Sequence, residues 1–588
     1  MALFTPSASP AVTVKEIDLT GVVPNVQTST GAFVGNFGWG PVGVATLVSD
    51  ESGLVSTFSA PTDANTVDFH SAAYFLRYSN TLFVVREQDS DGLNAVGSND
   101  NESISAQTIN NLDAFESLSL DSSDGAFIAK YPGAIGNSIK VSIIGSDSDN
   151  GGVTNYNAWT YKDKFDAAPG TSTFVSNLGG KNDEIHVAVI DEDGVITGTK
   201  GEVLETFPFL SVASNAKKSD GTSNYYKDVL KTQSAWIYAG AFHRNGAPTE
   251  NDFSGSNWGS DATSSAEDFA ADSAASVMQT EFSFQSGVTS SSLGTDDVLR
   301  GFDKFEDTDA IEIDFLIAPE SLTDTTATTI VNDLVSTAAS TRKDCIVVAS
   351  PSRAAAVTTG TNAAIIACGN TYTKSSYLVQ DNNYLKVFDK YNDKYIKIPA
   401  NSSTAGLMAA TDLVAAPWFS PAGSRRGRYL GITDIVVSPS KAERDALYKV
   451  GINPIANIPG EGIMLFGDKT NESRPSAFDR INVRRLFLGV ERAIALAARN
   501  VMFEFNDEFT RAEFTNIVEP FLRELQGRRG ITDFRVVCDE TNNTPAVVDR
   551  NEFIASIFIK PARSINYVTL NFVAVRTGVE FEEVVGTV

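Results

Sequence analysis

The side chains that most often carry chemistry are few in this chain and lie far apart. Three histidines (His70, His186 and His243) stand in different segments, and none has a second ligand at metal-binding spacing. We expect them to be structural, and we expect no metal site. The cysteines are equally scattered and form no CxxC pair, which predicts buried free thiols in a reducing compartment at Cys345, Cys368 and Cys538.

Acidic runs and one glycine-rich stretch have the composition of ion- or phosphate-binding loops without their spacing. The acidic runs hold no glutamate twelve positions after a first ligand, so they predict polar hairpin turns at Asp89 and Asp91, Asp147 and Asp149, and Asp191, Glu192 and Asp193. The stretch "GNFGWGPVG" lacks the lysine and hydroxyl residue of a phosphate loop. The sequence therefore predicts a protein that is not an enzyme and needs no cofactor.

The formal charge of −27 is unevenly distributed along the chain. Residues 91–300 hold 29 acidic and 12 basic side chains, whereas residues 441–588 hold 21 and 19. Binding to nucleic acid requires clustered lysine and arginine, so the excess of acid argues against direct contact with nucleic acid. No apolar run approaches the roughly 18 residues that would span a bilayer, so we expect no membrane insertion.

Hydrophobic periodicity divides the chain into an α/β framework with a β-rich interruption. Residues 22–90 are predicted to form a strand, a helix and a strand. The same pattern is predicted further along the chain, where the strand "IEIDFLIAP" is followed by a helix capped by threonine and by the strand "KDCIVVASP". A strand–helix–strand unit implies parallel pairing. Between these regions lie short strand-like pieces among Ser, Asp, Asn and Gly, which predict inserted, mostly β domains.

The C-terminal region predicts two long helices followed by antiparallel strands. The first helix spans "FDRINVRRLFLGVERAIALAARNVMFEF", and its apolar stripe includes Leu486, Val490 and Ile494. In the second helix, Asp507 caps the start, Pro520 produces a kink, and Gly527 or Gly530 ends it. "FRVVCD", "FIASIFIK" and "INYVTLNFVAV" are the expected strands.

At both ends of the chain, apolar and polar side chains alternate as in exposed strands. Val12 and Val14 oppose Thr13 and Lys15 near the start, and Val579 and Phe581 alternate with glutamates near the end. An unpaired strand edge is a template for another chain, so these ends predict attachment to a partner.

In this layout the chain resembles the contractile-tail sheath proteins of tailed bacteriophages of the myovirus type. "SPAVTVKEID" is similar to the opening arm of the family, although Ala11 and Thr13 stand where Gly and Tyr are common. The blocks that follow, in the family order, are "TSTGAFVGNFGWGPVG", "AAYFLRYSNTLFVVR", "IDFLIAPE", "STAGLMAATDLVAAPWFSPAG", "GINPIANIPGEGIMLFGDKT", "FDRINVRRL", "VVCDETNN" and "IFIKPARSINYVTLNF". The resemblance covers roughly residues 10–90 and 310–588.

The resemblance implies a multidomain α/β and α+β fold in which a mixed α/β domain and a C-terminal α+β domain carry inserted outer β domains and two extended arms. The expected ranges are an N-terminal linking arm at 1–21, a first segment of the core domain at 22–90, inserted outer β-rich domains at 91–305, a second segment of the core domain at 306–440, a C-terminal inner domain at 441–576 and a C-terminal linking arm at 577–588. The arms would add strands to neighbouring subunits, with Val12, Val14, Lys15, Val579 and Phe581 as the inter-subunit arm residues.

The resemblance also implies a virion component that assembles in the bacterial host cytoplasm. The subunits would form a helical homopolymer of stacked six-fold rings around a tail tube protein, in contact with baseplate and tail terminator proteins. Contraction would drive the tube through the envelope for genome ejection. An alternative is the sheath of a headless contractile injection particle, such as a pyocin or a type VI system.

Two further hypotheses concern binding surfaces. In the first, the helix of residues 507–526 and the residues directly after it would contact the tube through Arg511, Arg523, Arg528 and Arg529. The alternative is that these arginines contact neighbouring subunits or make no contact with a partner. A surface or glycan-binding protein is the alternative from another class, in which Trp159, Tyr161, Trp236 and Trp258 would line a sugar site instead of packing in a core.

Overall fold

The computed structural model of the 588-residue chain describes residues 28–98, 107–119, 125–146, 153–240, 257–270, 279–290 and 292–566. The described residues divide into a larger unit, 28–415 with 421–479, and a smaller unit, 416–420 with 480–566. The proposed arm residues Val12, Val14, Lys15, Val579 and Phe581 lie outside the described residues.

The described strands are short, and most are buried. In chain order they are β1 (Gly31–Gly35), β2 (Ala45–Val48), β3 (Leu82–Arg86), β4 (Asn94–Ser98), β5 (Phe127–Pro132), β6 (Ile139–Gly145), β7 (Glu184–Asp191), β8 (Glu202–Ser211), β9 (Ile237–Ala239), β10 (Gln279–Gln285), β11 (Phe315–Ile317), β12 (Ile346–Ala349), β13 (Leu378–Asp381), β14 (Tyr384–Asp389), β15 (Lys394–Pro399), β16 (Asp434–Ile435), β17 (Ile452–Asn453), β18 (Ile455–Ile458), β19 (Gly462–Leu465), β20 (Ile531–Val537) and β21 (Ser556–Pro561).

The described helices range from single turns to 20 residues. They are α1 (Glu51–Phe58), α2 (Thr66–Leu76), α3 (Leu112–Glu116), α4 (Val153–Ala158), α5 (Thr173–Asn177), α6 (Tyr226–Gln233), α7 (Thr295–Asp303), α8 (Asp324–Ser336), α9 (Asn362–Thr371), α10 (Asn401–Val414), α11 (Lys441–Lys449), α12 (Ile481–Ala498), α13 (Glu508–Gly527) and α14 (Pro545–Val548).

A seven-stranded sheet in the order β17-β13-β12-β11-β1-β3-β2 forms the centre of the larger unit. All of its pairings are parallel except that of β2 with β3. The predicted strand–helix–strand units are therefore confirmed, and the side chain of Thr323 caps α8 by accepting a hydrogen bond from the Thr326 amide. Helices cover both faces of the sheet, which explains why its strands read as continuous apolar runs.

Residues of β1 alternate between two helical layers. Ala32 and Val34 belong to the cluster formed with α7 and α8. On the other face, Gly31 leaves room for α2, since a Cβ atom there would lie 2.7 Å from Cζ of Phe75. The helices α7 and α2 thus pack on opposite faces of one sheet.

A three-stranded sheet, β15-β14-β16, covers the outer side of α2. Its inward side chains include Leu385 and Val387 of β14 and Ile398 of β15. They pack with Tyr74 of α2 and with Tyr78, which follows the helix. The opposite face of this small sheet is therefore directed away from the core.

The β-rich region between β3 and α7 is an antiparallel sheet in the order β8-β7-β6-β10-β4-β5-β9. Leu93 and Val288 exchange two backbone hydrogen bonds of 3.0 Å each, so the segment that builds this sheet begins and ends at neighbouring positions. The predicted fold class, α/β and α+β with an inserted β-rich region, is confirmed.

In the smaller unit, α12 and α13 pack with the antiparallel pair β20–β21. The side chain of Asp507 caps α13 by accepting from the Thr510 amide at 2.8 Å, and α13 ends at Gly527 as predicted. The helix α12 is shorter than predicted: it ends at Ala498, and only a tight turn continues to Val501. The residues 441–479 belong to the larger unit, although the sequence placed the start of the C-terminal domain at 441.

Candidate assembly surfaces

Three of the four candidate tube-contact arginines gather at the carboxyl end of α13. Arg523 lies in the last turns, and Arg528 and Arg529 follow directly after the helix; all three are exposed. Arg511 lies 12 residues before Arg523, which is about 18 Å along a helix. The structure therefore brings three of the arginines together and separates the fourth. Cations at a helix carboxyl end are favoured by the helix dipole.

Arg528 is held against an aromatic ring. Its guanidinium carbon lies 4.9 Å from the centre of the Trp418 ring, and the indole Nε1 donates to the backbone oxygen of Arg528 at 3.2 Å. Gly530 passes under the same ring, where a Cβ atom would lie 3.2 Å from it. Trp418 thus fixes the turn that presents the arginines.

Carboxylates partly neutralise this group. Glu524 lies 3.4 Å from Arg528, and Glu519 lies 4.0 Å from Arg523, each one helical turn earlier. Exposed pairs of this kind contribute about 0.2–1 kcal/mol, so they can be exchanged for pairs with a partner at little cost.

Arg511 serves the start of α13 instead. Its Nε donates to the side-chain oxygen of Asn506 at 2.8 Å, and one terminal nitrogen donates to the Asn506 backbone oxygen at 3.1 Å. These contacts fix the turn before the helix, which is a structural role.

Exposed phenylalanines between α12 and α13 were missed by the sequence prediction, which assigned them to the first helix. Phe503 is 100% exposed with φ of 72°, and Phe505 is 84% exposed. Met502 and Phe509 are also exposed. The alternation of phenylalanine with acidic residues in "MFEFNDEF" was the available signal, because a buried helical stripe does not alternate in twos.

The described histidines are structural, as predicted. In His186, Nδ1 accepts from the Phe209 amide at 3.0 Å and Nε2 donates to the Ala167 oxygen at 2.8 Å, an arrangement that fits the neutral ring. Burial lowers the pKa of both His70 and His186. His243 lies outside the described residues.

The acidic run at Asp191 organises a turn. Its carboxylate accepts hydrogen bonds from the amides of Gly194, Ile196 and Thr197 and from the Ser138 hydroxyl. Burial raises its pKa, but the bonds from Ser138, Thr197 and Ile196 outweigh that effect and hold the pKa below the usual value. The predicted polar hairpin turn is confirmed here, while Asp147 and Asp149 lie outside the described residues. Within the described ranges, no group of three or more His, Cys, Asp or Glu side chains is placed to hold a metal ion.

The aromatic residues considered for a sugar site pack within the β-rich region. Trp159 is buried, and its Nε1 donates to the hydroxyl of Ser142 at 2.9 Å. Trp236 packs on the ring of Trp39 with centroids 5.1 Å apart, and Trp258 donates to the Phe269 oxygen. Tyr161 contacts the Trp159 ring. Core packing accounts for these rings.

The described cysteines do not all follow the prediction. Cys345 and Cys368 are buried, as expected. Cys538 is only half-buried; it directly follows β20 and packs at the edge of the cluster formed with α12 and α13. Among the described residues, no helix is long and apolar enough to cross a bilayer.

Two carboxyl groups lie after or beside the central strands, where Asp381 is buried and Asp68 is half-buried. Asp381 ends β13, and Asp68 of α2 accepts from the Asn36 amide just after β1 at 2.8 Å. Burial raises the pKa of each to about 7. Ser350 and Thr404 donate to Asp381, so the group belongs to an internal hydrogen-bond network and not to an exposed site.

Comparison with protein families gives two matches. Residues 292–471 match the phage tail sheath protein central domain, and residues 473–574 match the phage tail sheath C-terminal domain. In the solved crystal structures, the sheath tail protein of Listeria innocua is similar in fold, with a TM-score of 0.50, 12% identity, and coverage of 91% of this chain and 96% of that one.

Relatives match over nearly the whole chain. The tail sheath protein of Vibrio phage KVP40 is 32% identical, covering 98% of this chain and 99% of the relative. The tail sheath protein of Enterobacteria phage T4 is 31% identical with the same coverage. With this identity over this length, the chain belongs to the phage tail sheath proteins and is a structural subunit of a contractile sheath.

Proposed function

We propose that the chain polymerises as stacked six-fold rings around a tail tube and contracts to drive the tube through the host envelope. The observation that carries this proposal is the 32% identity to a tail sheath protein over 98% of the chain. The energy for contraction would be stored as the difference between two sets of subunit contacts, without catalysis or a cofactor.

The proposed partners follow from this role. They are further copies of the chain, a tail tube protein, a baseplate protein and a tail terminator protein, in a virion tail that assembles in the host cytoplasm. No direct contact with nucleic acid is proposed, since the chain carries a net charge of −27.

The ends of the chain are proposed to link neighbouring subunits by strand addition. Val12, Val14 and Lys15 would form one added strand, and Val579 with Phe581 the other. Backbone hydrogen bonds would keep the link intact while subunits rotate, and the alternation of side chains would fix its register.

For the tube contact we propose Arg523, Arg528 and Arg529, a narrower set than the sequence suggested. Their common position at the end of α13 and their exposure support this role. Arg511 is left out because Asn506 binds it at the other end of the helix.

A sheath of a headless injection particle would use the same contacts. Capsid genes beside the gene for this chain would favour the phage tail, and their absence would favour the headless particle.

Electron microscopy of the purified full-length protein tests the proposal. We expect helical tubes or stacked rings from the intact chain, and their loss when residues 1–20 and 577–588 are deleted. Deleting each end alone separates the two arms, and circular dichroism of each variant checks that the fold is retained. Monomers from the intact chain over a range of salt and protein concentrations would contradict the proposal.

A further inference from the structure

An aromatic and basic surface covers the outer side of the sheet β15-β14-β16. Lys386 and Phe388 of β14 alternate with buried residues and are exposed. In the antiparallel register, Lys386 lies opposite Lys397, and Phe388 lies opposite Tyr395. We call these four residues the β14–β15 face.

This face is poorly suited to remain in water. The rings of Phe388 and Tyr395 are 44% and 58% exposed, with centroids 5.3 Å apart. Like charges directly opposite each other destabilise a sheet, yet Lys386 and Lys397 occupy such a pair. Lys386 lies 5.2 Å from the centre of the Tyr395 ring and opposite Asp434 of β16 in the register, but neither lysine forms an ion pair with any described residue. Exposed aromatic rings in mutual contact are typical of a surface that binds another protein.

An acidic segment, with charge opposite to that of the two lysines, begins at the last residue of α7. It spans residues 303–312, whose exposed carboxylates are Asp303, Glu306, Asp307, Asp309 and Glu312, with Lys304 as its single cation. None of the five forms an ion pair within the described ranges of the chain. Arg342 instead binds the backbone, donating to the oxygens of Asp307 and Ile311 at 3.2 and 2.8 Å. The segment is thus held in place with its carboxylates directed outward.

The two surfaces lie on opposite sides of the central sheet. The helix α7 packs on the Val34 side, where a Cβ atom at Gly301 would lie 2.5 Å from Val34 Cγ1. The β14–β15 face lies beyond α2, which packs on the Gly31 side through Phe75. One copy therefore cannot pair its own basic face with its own acidic segment.

We propose that the β14–β15 face of one copy docks on the acidic segment of a second copy, head to tail. The inference rests on the proposed function and names the surfaces that join neighbouring subunits. Two different, complementary patches on one chain form a heterologous contact, and repetition of such a contact produces a ring or a helix. Opposite charge sets the register, while Phe388 and Tyr395 supply apolar contact.

Charge reversal on each side tests the contact. The first variant is Lys386→Glu with Lys397→Glu. The second is Glu306→Lys with Asp309→Lys and Glu312→Lys, which changes the net charge of residues 303–312 from −4 to +2; none of these three side chains makes a hydrogen bond to a described residue. We expect each variant alone to need a roughly tenfold or higher protein concentration to form tubes, since like charges then face each other. We expect an equal mixture of the two variants to assemble, because each then presents the charge that the other lacks.

A single chain carrying all five substitutions should assemble as well. The matched control is Lys217→Glu with Lys218→Glu, which reverses two exposed lysines of the β-rich region, and it should form tubes at the original concentration. Thermal unfolding by circular dichroism checks that each variant is folded.

The outcomes separate the two proposals. If folded Lys386→Glu/Lys397→Glu protein forms tubes as readily as the original chain, or if the mixture of reversed variants fails to assemble, the docking contact is wrong and the sheath function stands. If the unaltered chain forms no tubes, the proposed function falls, and the contact falls with it.

Discussion

The hydroxyl of Ser350 donates a 2.8 Å hydrogen bond to the carboxyl group of Asp381 inside the larger unit. Ser350 directly follows β12 and Asp381 ends β13, so the bond joins the carboxyl ends of two parallel neighbours. Thr404 of α10 and the Asn383 amide also donate to this carboxyl group. A titratable group therefore sits where the central sheet meets the helix layer that supports the β14–β15 face.

Stability of the larger unit should fall as pH rises towards neutrality. Burial raises the pKa of Asp381 from 3.8 to about 7, so the folded state holds its proton more tightly than the unfolded state does. The protonated Asp381 side chain therefore stabilises the folded state fully below about pH 4, and this stabilisation is lost between about pH 4 and 7. Asp381→Asn keeps the shape and removes the charge. A shift of about three pKa units corresponds to about 4 kcal/mol, which is an upper bound for the stability that the original chain loses through Asp381 as the pH rises.

The measurement compares melting temperatures of the variant and the original chain at about pH 5 and about pH 8. We expect the melting temperature of the variant, relative to that of the original chain, to be higher at about pH 8 than at about pH 5. Asp445→Asn, an exposed position on α11, is the control and should follow the original chain. A difference that is the same at both pH values would contradict the prediction.

Close packing of α7 on the central sheet predicts that Gly301→Ala is destabilising. The new Cβ atom would lie 2.5 Å from Val34 Cγ1 and 2.8 Å from Glu87 Cγ, which forces a shift of the helix or the strand. Overpacking of this kind costs about 1–3 kcal/mol, more than the roughly 1 kcal/mol that alanine gains over glycine in a helix.

Gly53→Ala in α1 is the matched control for this substitution. Its Cβ atom would meet Asp50 Oδ1 at 3.4 Å and Val48 Cγ1 at 3.6 Å, which are ordinary contacts. The control should raise the free energy of unfolding by about 0.5–1 kcal/mol. Chemical denaturation of both variants gives the comparison, and a stabilised Gly301→Ala protein would show that α7 is less tightly packed than described.

Reversal of charge at the end of α13 should weaken binding to the tube. The double variant Arg523→Glu with Arg529→Asp leaves the contact between Arg528 and Trp418 intact, and aspartate tolerates the φ of 67° at position 529. Because several weak pairs would be lost together, we expect clearly reduced sheathing of tubes when the chain is mixed with tube protein. Self-assembly of the chain should be unaffected.

Arg550→Glu is the control for the tube experiment. Arg550 is exposed, belongs to the smaller unit and pairs with Glu552 at 2.8 Å, away from the end of α13. Tubes that are sheathed equally by the double variant and the control would contradict the role of these arginines.

Local signals in the sequence were sufficient for elements that depend on local chemistry. The apolar runs around Phe315 and Ile346 predicted parallel strands, and Asp507 and Gly527 marked the ends of α13 because caps and stops are decided by neighbouring residues. The end of α12 was not predictable in this way. No glycine or proline follows Ala498 before α13. The alternation of Phe503 and Phe505 with acidic residues excludes them from a buried stripe but does not mark the residue at which the helix ends.

The docking surfaces were hidden in the sequence for a related reason. Lys386 and Lys397 are ordinary polar positions of two strands until the register places them opposite each other. Their relation to residues 303–312 depends on which face of β1 each helix covers, and that is decided by packing at Gly31 and Gly301. Long-range arrangement of this kind leaves no periodic trace in one chain.

The bonded pair Leu93 and Val288 lets residues 94–287, about a third of the chain, vary without changing the core. The chain leaves the α/β core and returns to it at adjacent backbone positions, so the length of the intervening segment places no demand on the core strands. Insertions, deletions or replacements within the β-rich region are therefore compatible with an unchanged α/β core.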